Sequence, residues 1–556
     1  MQTMLRLFVS LSLALCSVLV GAQNFSEILG RPTAHSVTIS ILFDLRADVY
    51  WEYGTSGGMY TMSTPTFTTV TDTVLEAVFT GLSPDARYFY RTRYREAGTS
   101  GAFLSGPEHS FHTQRPSGAS FSFVVEADPH LDTNTIPASY ALTLQNIHDA
   151  SPDFLFDLGD TFMSEKLQVK NQENITARHL MYRPYFGAVC HSVPLFLVKG
   201  NHEGENGWLT SGSQADLKIM ATNTRKLYYP NPVPDGFYSG DSIPEPSVGL
   251  MQNYYSFEWG NSLFIVLDPY WYTTGKPDWG WTLGEEQYNW FRKVITGSKA
   301  RFKFVFCHQL VGGNGNDGRG GIEFANFFEM GGLNKDSTPG WESNRQGWDK
   351  PVHQLMTDNH ANIYFHGHDH FFAKQDLDGI VYQEVPQPSS KNINNANQAA
   401  SYGYVNGTIL PARGYLLVTV TDSIAKVDYI RTFLPSEENA TRKNKDAACS
   451  YTLHSYAAGI EENVSPYHEF RLLRNYPNPF GTETTISYEL TLSVNVSIRV
   501  YDMLGREVAM LCDQNQQAGK YTVKFNPGKN SSAGRVYYCR ITAGEHSETI
   551  KMICIQ

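Results

Sequence analysis

The stretch FSFVVEADPH, at Phe121–His130, decides the fold of the central part of this chain. Its first seven residues are apolar apart from Ser122 and Glu126, which is typical of a strand that is buried on both faces. A proline and two potential metal ligands, Asp128 and His130, follow directly, so the chain turns where the strand ends. Such strands belong to open α/β sheets, which place their sites at the carboxyl ends of the strands.

The same arrangement recurs four times further along the chain. Phe154–Leu158 precedes Gly159-Asp160, Pro194–Val198 precedes Gly200-Asn201-His202-Glu203, Phe302–Phe306 precedes His308, and Ile363–Phe365 precedes Gly367-His368-Asp369-His370. Carboxylate, amide and imidazole groups are metal ligands, and the glycines permit the sharp turns that a site assembled from loops requires. Five ligand sets, each directly after a strand, predict a two-metal hydrolase rather than accidental motifs.

The flanking segments have the alternating pattern of β-sandwiches. Residues 24–115 alternate in this way, and Leu82-x-Pro84-x-x-x-Tyr88 resembles the tyrosine corner of fibronectin type III domains. Residues 436–468 are polar and lack sustained periodicity, so they are predicted to be a linker, and alternation returns over residues 469–556. The predicted fold is multidomain: an N-terminal β-sandwich, a central α/β domain at 119–435 with a β-sandwich flanked by helices, and a C-terminal β-sandwich.

The central motifs resemble those of the calcineurin-like metallophosphoesterase superfamily, and the N-terminal sandwich makes the architecture similar to that of purple acid phosphatases. The resemblance implies that one metal ion is held by Asp128, His130, Asp160 and His370, and a second by Asp160, Asn201, His308 and His368. Asp160 would bridge the two ions. Met163 stands where purple acid phosphatases have their iron-binding tyrosine, so we expect the related fold without that tyrosinate centre.

The resemblance also implies a reaction. Two ions about 3.5–4 Å apart clamp the oxygens of an in-line displacement, so phosphate esters would be hydrolysed by attack of a metal-bound hydroxide. Iron, zinc, manganese or similar ions suit these ligands, and the sequence does not choose among them. His202 is the expected catalytic residue beside Asp160, binding the phosphoryl group or donating a proton to the leaving oxygen. Arg319, in a glycine-rich loop, is a candidate phosphate ligand, although a solvated surface arginine explains it equally well.

Both ends of the chain indicate export. Residues 1–22 read as a signal peptide, and no later segment is apolar enough to span a membrane. Asn475–Phe480, Val500–Val508 and the closing Lys551-Met552 resemble the C-terminal sorting domain of the type IX secretion system. This resemblance implies a secreted or cell-surface protein whose partners include that secretion machinery.

The cysteines after the signal peptide fall into two groups with different expected states. Cys190 and Cys307 lie in apolar strings and are predicted to be buried free thiols. Cys449, Cys512, Cys539 and Cys554 crowd toward the C-terminus of an exported protein, so a disulfide is expected among them. Spacing does not reveal which cysteines pair.

Composition narrows the substrate class. The net charge of −11 argues against a protein that coats nucleic acid, which needs a basic footprint, but allows a small phosphate ester bound at metal ions. The favoured function is a secreted binuclear phosphomonoesterase. The alternatives are a phosphodiesterase or nucleotide hydrolase with the same site, and a surface binding protein whose metal core is silent.

Overall fold

The computed structural model describes residues 25–210, 216–313, 318–455, 470–476, 478, 480–490, 492–528, 535–544 and 546–554. The predicted signal peptide lies outside these residues. The chain divides into two compact units, Met1–Ala457 and Ala458–Gln556. Among the described residues, no helix combines the length and the apolarity that a membrane crossing requires.

The first unit begins with a small β-sandwich. Its strands are β1 Phe25–Gly30, β2 Val37–Phe43, β3 Ala47–Gly54, β4 Met62–Ser63, β5 Phe67–Thr68, β6 Leu75–Phe79, β7 Arg87–Glu96 and β8 Leu104–His112. They form one sheet in the order β1-β2-β6 and another in the order β4-β3-β7-β8, with β5 on β3. The Tyr88 hydroxyl accepts a hydrogen bond from the Ser83 N–H at 2.8 Å, which is the contact that a tyrosine corner makes.

The rest of the first unit is built on two larger sheets. Its strands are β9 Phe121–Glu126, β10 Phe154–Asp157, β11 Leu195–Leu197, β12 Ser239–Gly240, β13 Tyr255–Trp259, β14 Ser262–Val266, β15 Phe302–Phe306, β16 Ile363–His366, β17 Phe372–Leu377, β18 Ile380–Glu384, β19 Thr408–Leu410, β20 Gly414–Val420, β21 Ile424–Arg431 and β22 Ala447–His454. One sheet has the order β11-β10-β9-β20-β21-β22, and the other has the order β12-β13-β14-β15-β16-β18-β17-β19.

The described part of the first unit contains eight α-helices, several of which cover the outer faces of these sheets. They are α1 Pro137–Ala150, α2 Gln172–Cys190, α3 Leu217–Tyr228, α4 Glu285–Gly297, α5 Phe328–Gly331, α6 Trp341–Asn344, α7 Val352–Asp358 and α8 Gln398–Ser401. Short 3₁₀ helices span Ser164–Lys166, Gly207–Leu209, Asp278–Gly280, Ile322–Phe324 and Pro435–Glu437. Val124 and Leu155 pack with α1 and α2, while Ile265 and Val305 pack with α4 and α7.

Phenylalanines fill the space between the two sheets. The rings of Phe156 on β10 and Phe306 on β15 stack with centroids 4.0 Å apart, and Phe123 and Phe264 meet edge to face at 5.2 Å. Neighbouring residues on the same strands point to the helices, since successive side chains of a strand face opposite sides. The predicted β-sandwich flanked by helices is therefore confirmed, and this rigid core fixes the loops that follow its strands.

The structure differs from the sequence prediction in the segment expected to be a linker. Ala447–His454 is strand β22, which pairs antiparallel with β21 and extends the first sheet. Its alternate residues Cys449, Tyr451 and Leu453 pack against the inter-sheet core. The polar residues between them face solvent on an edge strand, so the segment is hydrophilic in sequence although half of it is packed.

The second unit is an antiparallel sandwich. Its strands are β23 Phe470–Tyr476, β24 Thr484–Leu490, β25 Val494–Asp502, β26 Glu507–Gln516, β27 Gly519–Phe525, β28 Arg535–Ala543 and β29 His546–Cys554. They form sheets in the orders β23-β24-β27 and β26-β25-β28-β29. Ile486, Ile498 and Ile541 are fully buried in the core between these sheets.

None of the six cysteines that the structure describes forms a disulfide. Cys190 and Cys307 are buried free thiols, as predicted, and burial raises the pKa of Cys307 to about 12. The disulfide expected among the four C-terminal cysteines is not formed. Cys449 lies on β22 in the first unit, and Cys539 and Cys554 are buried in the apolar core of the second, so these thiols serve as packing groups.

Candidate metal centre

Loops at the carboxyl ends of five strands bring the predicted ligands together. β9, β10 and β11 are parallel neighbours in the first sheet, and β15 and β16 are parallel neighbours in the second. The residues that follow these strands are Asp128 and His130, Asp160, Asn201 and His202, His308, and His368 and His370. Parallel strands end at the same edge of a sheet, so their loops converge there.

The first ligand group consists of Asp128, His130 and His370, whose ligand atoms all lie within 4.8 Å of one another. His370 Nε2 is 3.3 Å from Asp128 Oδ1 and 3.4 Å from His130 Nε2. Two imidazoles that face each other with their nitrogens, beside a carboxylate, leave room for one shared cation.

The second ligand group consists of Asp160, His308 and His368, all buried and within the same 4.8 Å limit. His308 Nε2 lies 3.4 Å from Asp160 Oδ2, and its Nδ1 lies 2.9 Å from the Leu158 carbonyl, which fixes the ring. The two groups adjoin, since His308 Nε2 is also 3.9 Å from Asp128 Oδ1.

Three buried atoms test whether these residues suit metal ions. Asp128 Oδ1, Asn201 Oδ1 and His308 Nε2 have no hydrogen-bond partner among the described residues. A buried polar atom without a partner is costly, and coordination of a cation removes that cost. The donors are carboxylate, amide and imidazole, which divalent transition metals accept, so the residues present fit such ions.

The backbone of the centre is strained at the ligands themselves. Asp128, Asp160, His368 and His370 all have positive φ, between 55° and 79°. This conformation is unfavourable for residues with a side chain and persists where the surroundings impose it, most often at functional sites. Gly159 is required for a second reason: a Cβ there would lie 2.2 Å from the Gly200 nitrogen, so it lets two ligand loops meet.

Two buried glutamates hold the ligand loops. Glu203 accepts hydrogen bonds from the N–H groups of Gly200, Asp160, Thr161 and Phe162, at 2.6–3.2 Å. Glu384 accepts from the N–H groups of Asp369 and His370, at 3.0 and 3.2 Å. Burial, together with the charge of Asp160, raises the pKa of Glu203 to about 7. Glu203 belongs to a predicted ligand motif, but this supporting role was not predicted for it, and Glu384 lies in no motif.

Opposite charges balance inside the centre. Burial disfavours the charged form of Asp128, but His370 and His308 outweigh it and lower its pKa to about 2. Burial likewise opposes protonation of His308, yet Asp160 and Asp128 raise its pKa to about 10. A proton on His308 thus supplies the positive charge that the two neighbouring carboxylates favour. A cation bound at the same place would replace that proton.

His202 has a partner that sequence reasoning missed. Its Nδ1 lies 2.5 Å from Glu165 Oε2, its Nε2 lies 3.2 Å from Asn201 Nδ2, and its backbone N–H donates to Asp160 Oδ1 at 2.8 Å. Glu165 lies on the 3₁₀ helix Ser164–Lys166, five positions after Asp160. His202 lowers the pKa of Glu165 despite the opposing effect of burial, so the pair carries a carboxylate at neutral pH.

Arg319 lies next to the second ligand group. Its Nη1 donates to the His368 carbonyl at 2.7 Å and to Asp369 Oδ1 at 2.9 Å, and its guanidinium covers the Tyr402 ring at 4.4 Å. These contacts orient the side chain against a metal-ligand loop, so it is not a freely solvated surface arginine.

The fold is that of a phosphoesterase domain, and its site contains candidate metal-ligand groups. Residues 121–372 match the family of calcineurin-like phosphoesterases, and residues 474–556 match the secretion system C-terminal sorting domain. The chain therefore carries a calcineurin-like metallophosphoesterase domain and a type IX sorting domain, and that sorting domain marks it for export to the cell surface or beyond.

Two solved structures have a similar fold. The structure of PhoD is 16% identical, with a TM-score of 0.56, over 77% of this chain and 90% of that one. A purple acid phosphatase, PPD1 from yellow lupin seeds, is 14% identical, with a TM-score of 0.50, over 77% of this chain and 74% of that one. No curated protein sequence matches the chain.

Proposed function

We propose that this protein is a secreted binuclear phosphomonoesterase. In this proposal, one ion is held by Asp128, His130, Asp160 and His370, and the other by Asp160, Asn201, His308 and His368. The observation that carries it is the contact between the two ligand groups, where His308 Nε2 lies within 3.9 Å of both Asp128 and Asp160. Such proximity favours a shared, two-ion site over two separate ones.

The ions and the protein groups have separate tasks. When bound, two ions supply Lewis acidity and activate water for in-line displacement at phosphorus. His202 protonates the leaving oxygen or binds the phosphoryl group, and Glu165 holds its ring by the 2.5 Å contact at Nδ1. Arg319 adds positive charge at the edge of the site, oriented by Asp369.

Charge favours monoesters over diesters. A monoester dianion carries one more negative charge than a diester, and the site offers Arg319 and His202 in addition to two cations. The protein named as a purple acid phosphatase shares the fold, which supports the same choice. A phosphodiesterase or nucleotide hydrolase is the competing function, and a paired assay separates the two.

The test is hydrolysis of 4-nitrophenyl phosphate against bis(4-nitrophenyl) phosphate, with metals quantified on the same sample. We expect monoester turnover to dominate, with about two ions per chain. Asp160→Asn should lose one or both ions and lower kcat by about a hundredfold or more, because the proposed bridge loses a charged oxygen. Asp349→Asn, an exposed aspartate outside the site, is the matched control. Undiminished turnover in Asp160→Asn contradicts the proposal.

A further inference from the structure

A polar cleft of about 240 Å³ opens beside His370 of the first ligand group. Carboxamide side chains dominate its lining: Asn134, Gln387, Asn392, Asn395 and Gln398. Gln387 forms part of the floor, is only 3% exposed, and places its Nε2 3.1 Å from His130 Nε2. The cleft therefore adjoins the first ligand group through His370 and through Gln387 beside His130.

Hydrogen bonds within the protein fix the wall of the cleft. Arg413 Nη1 donates to the Ser390 carbonyl at 3.3 Å, and Arg431 Nη2 donates to the Ile393 carbonyl at 3.0 Å. Both arginines are buried, with 0% and 8% exposure. Asn392 Nδ2 donates to the Asn395 carbonyl at 3.0 Å, which fixes the turn between these two residues. A fixed wall reduces the entropy lost on binding.

Two carboxamides are available to a ligand. Asn134 and Gln398 form hydrogen bonds through their backbone atoms, and their side chains make none with other described residues. Each carboxamide offers two donors and an acceptor, and this combination matches hydroxyl groups, which also donate and accept. The ligand that satisfies such a wall carries several hydroxyls.

The remaining lining narrows the ligand class. The described residues that line the cleft include no aromatic ring other than His370 and no carboxylate, and Lys391 is the only one of them with a permanent charge. A nucleobase is usually held by aromatic stacking, and a cationic group by carboxylates. At about 30 Å³ per water molecule, the cleft has the room of roughly eight waters, which suits one glycerol or hexose unit.

We infer that this cleft binds the alcohol half of the phosphate ester, and that the preferred substrate has a hydroxyl-rich leaving group such as a polyol or a sugar. The inference rests on the proposed function, since it places the phosphoryl group at the metal centre. It assigns Asn134 and Gln398 as specificity-determining residues.

The experiment compares kcat/KM for glucose 6-phosphate and glycerol 1-phosphate with kcat/KM for 4-nitrophenyl phosphate. The double variant Asn134→Ala/Gln398→Ala should lower the ratio of sugar or polyol ester to aryl ester by about tenfold, because it removes two hydrogen-bonding groups. Asn397→Ala removes an exposed carboxamide from the same loop outside the cleft and should leave the ratio unchanged. The inference is wrong if both proteins hydrolyse the aryl ester and the ratio of kcat/KM for the sugar or polyol ester to that for the aryl ester is the same in wild type and double variant.

The failure of the proposed function gives a different result. If the wild type hydrolyses no monoester, the proposed function fails, and saturation-transfer NMR with glucose 6-phosphate then decides on the cleft. If saturation transfer to glucose 6-phosphate is weaker in the double variant than in the wild type, the result supports a polyol subsite in the cleft. Equal transfer in both proteins, or none in the wild type, overturns it.

Discussion

His202 and Glu165 form a pair whose separation, 2.5 Å between Nδ1 and Oε2, suits a charge-assisted hydrogen bond. Glu165→Gln keeps the shape but removes the charge, so a proton on His202 loses its partner. We expect kcat for phenyl phosphate to fall about 10–100-fold, and kcat for 4-nitrophenyl phosphate to fall less, because a better leaving group needs less protonation. The measurement is kcat for both esters in wild type and variant.

The control for this pair is Glu173→Gln, an exposed glutamate in the first turn of α2. It should change neither rate. Equal losses on the two esters in Glu165→Gln would assign Glu165 a structural role instead. In that case Glu165 would position the loop but take no part in proton donation.

Some residues of this site can be predicted from the sequence alone, and others cannot. Asp128, Asp160 and His308 each follow a strand directly, so their placement depends on local sequence and was predictable. Glu165 follows no strand directly, and Gln387 follows β18 but lies in no ligand motif. They reach His202 and His130 only through tertiary contacts, across 37 and 257 positions of sequence.

Strand β1 carries a buried acid whose ionisation makes stability depend on pH. Glu27 accepts a hydrogen bond from Trp51 Nε1 at 3.1 Å and another from Thr92, and burial raises its pKa from 4.5 to about 7. Between these values the folded state holds a proton that the unfolded state has released. The free energy of unfolding therefore falls as pH rises from 4.5 to 7, by about 3 kcal/mol in total.

Glu27→Gln removes this pH dependence while keeping an acceptor for Trp51. The variant should gain stability over wild type as pH rises through that window, measured by urea unfolding at pH 5 and pH 8. His109, 3.8 Å from Glu27, stays uncharged there because burial lowers its pKa to about 4. Glu96→Gln, at the exposed end of β7, is the control. Parallel stability curves for Glu27→Gln and wild type contradict this account.

Strands with long apolar runs were predictable, but the edge strand β22 was not. β9, β10 and β15 lie inside the sheets and have long apolar runs that indicate burial. β22 lies at the edge of its sheet, and only Cys449, Tyr451 and Leu453 on it pack against the core. Its alternation spans too few apolar residues to stand out from a polar segment.

The whole molecule consists of two units, and all the proposed metal ligands lie in the first, Met1–Ala457. A chain that ends at residue 457 should therefore keep its metal content and its kcat/KM within about twofold, since each unit has its own hydrophobic core. In a bacterium with a type IX secretion system, the same truncation should abolish export, because it removes the sorting domain.

A chain that ends at residue 435 tests where the catalytic domain ends. The sequence predicts an end at residue 435, whereas the structure includes β22 in the sheet. The truncated chain lacks β22, so Val427 and Ala425 on β21 lose their cross-strand partners Tyr451 and Leu453, and the edge of β21 becomes exposed. We expect a melting temperature several degrees below that of the chain ending at 457, together with a tendency to aggregate. Equal melting temperatures for the two truncations would mean that β22 adds nothing to the sheet and that residues after 435 act as the linker the sequence predicted.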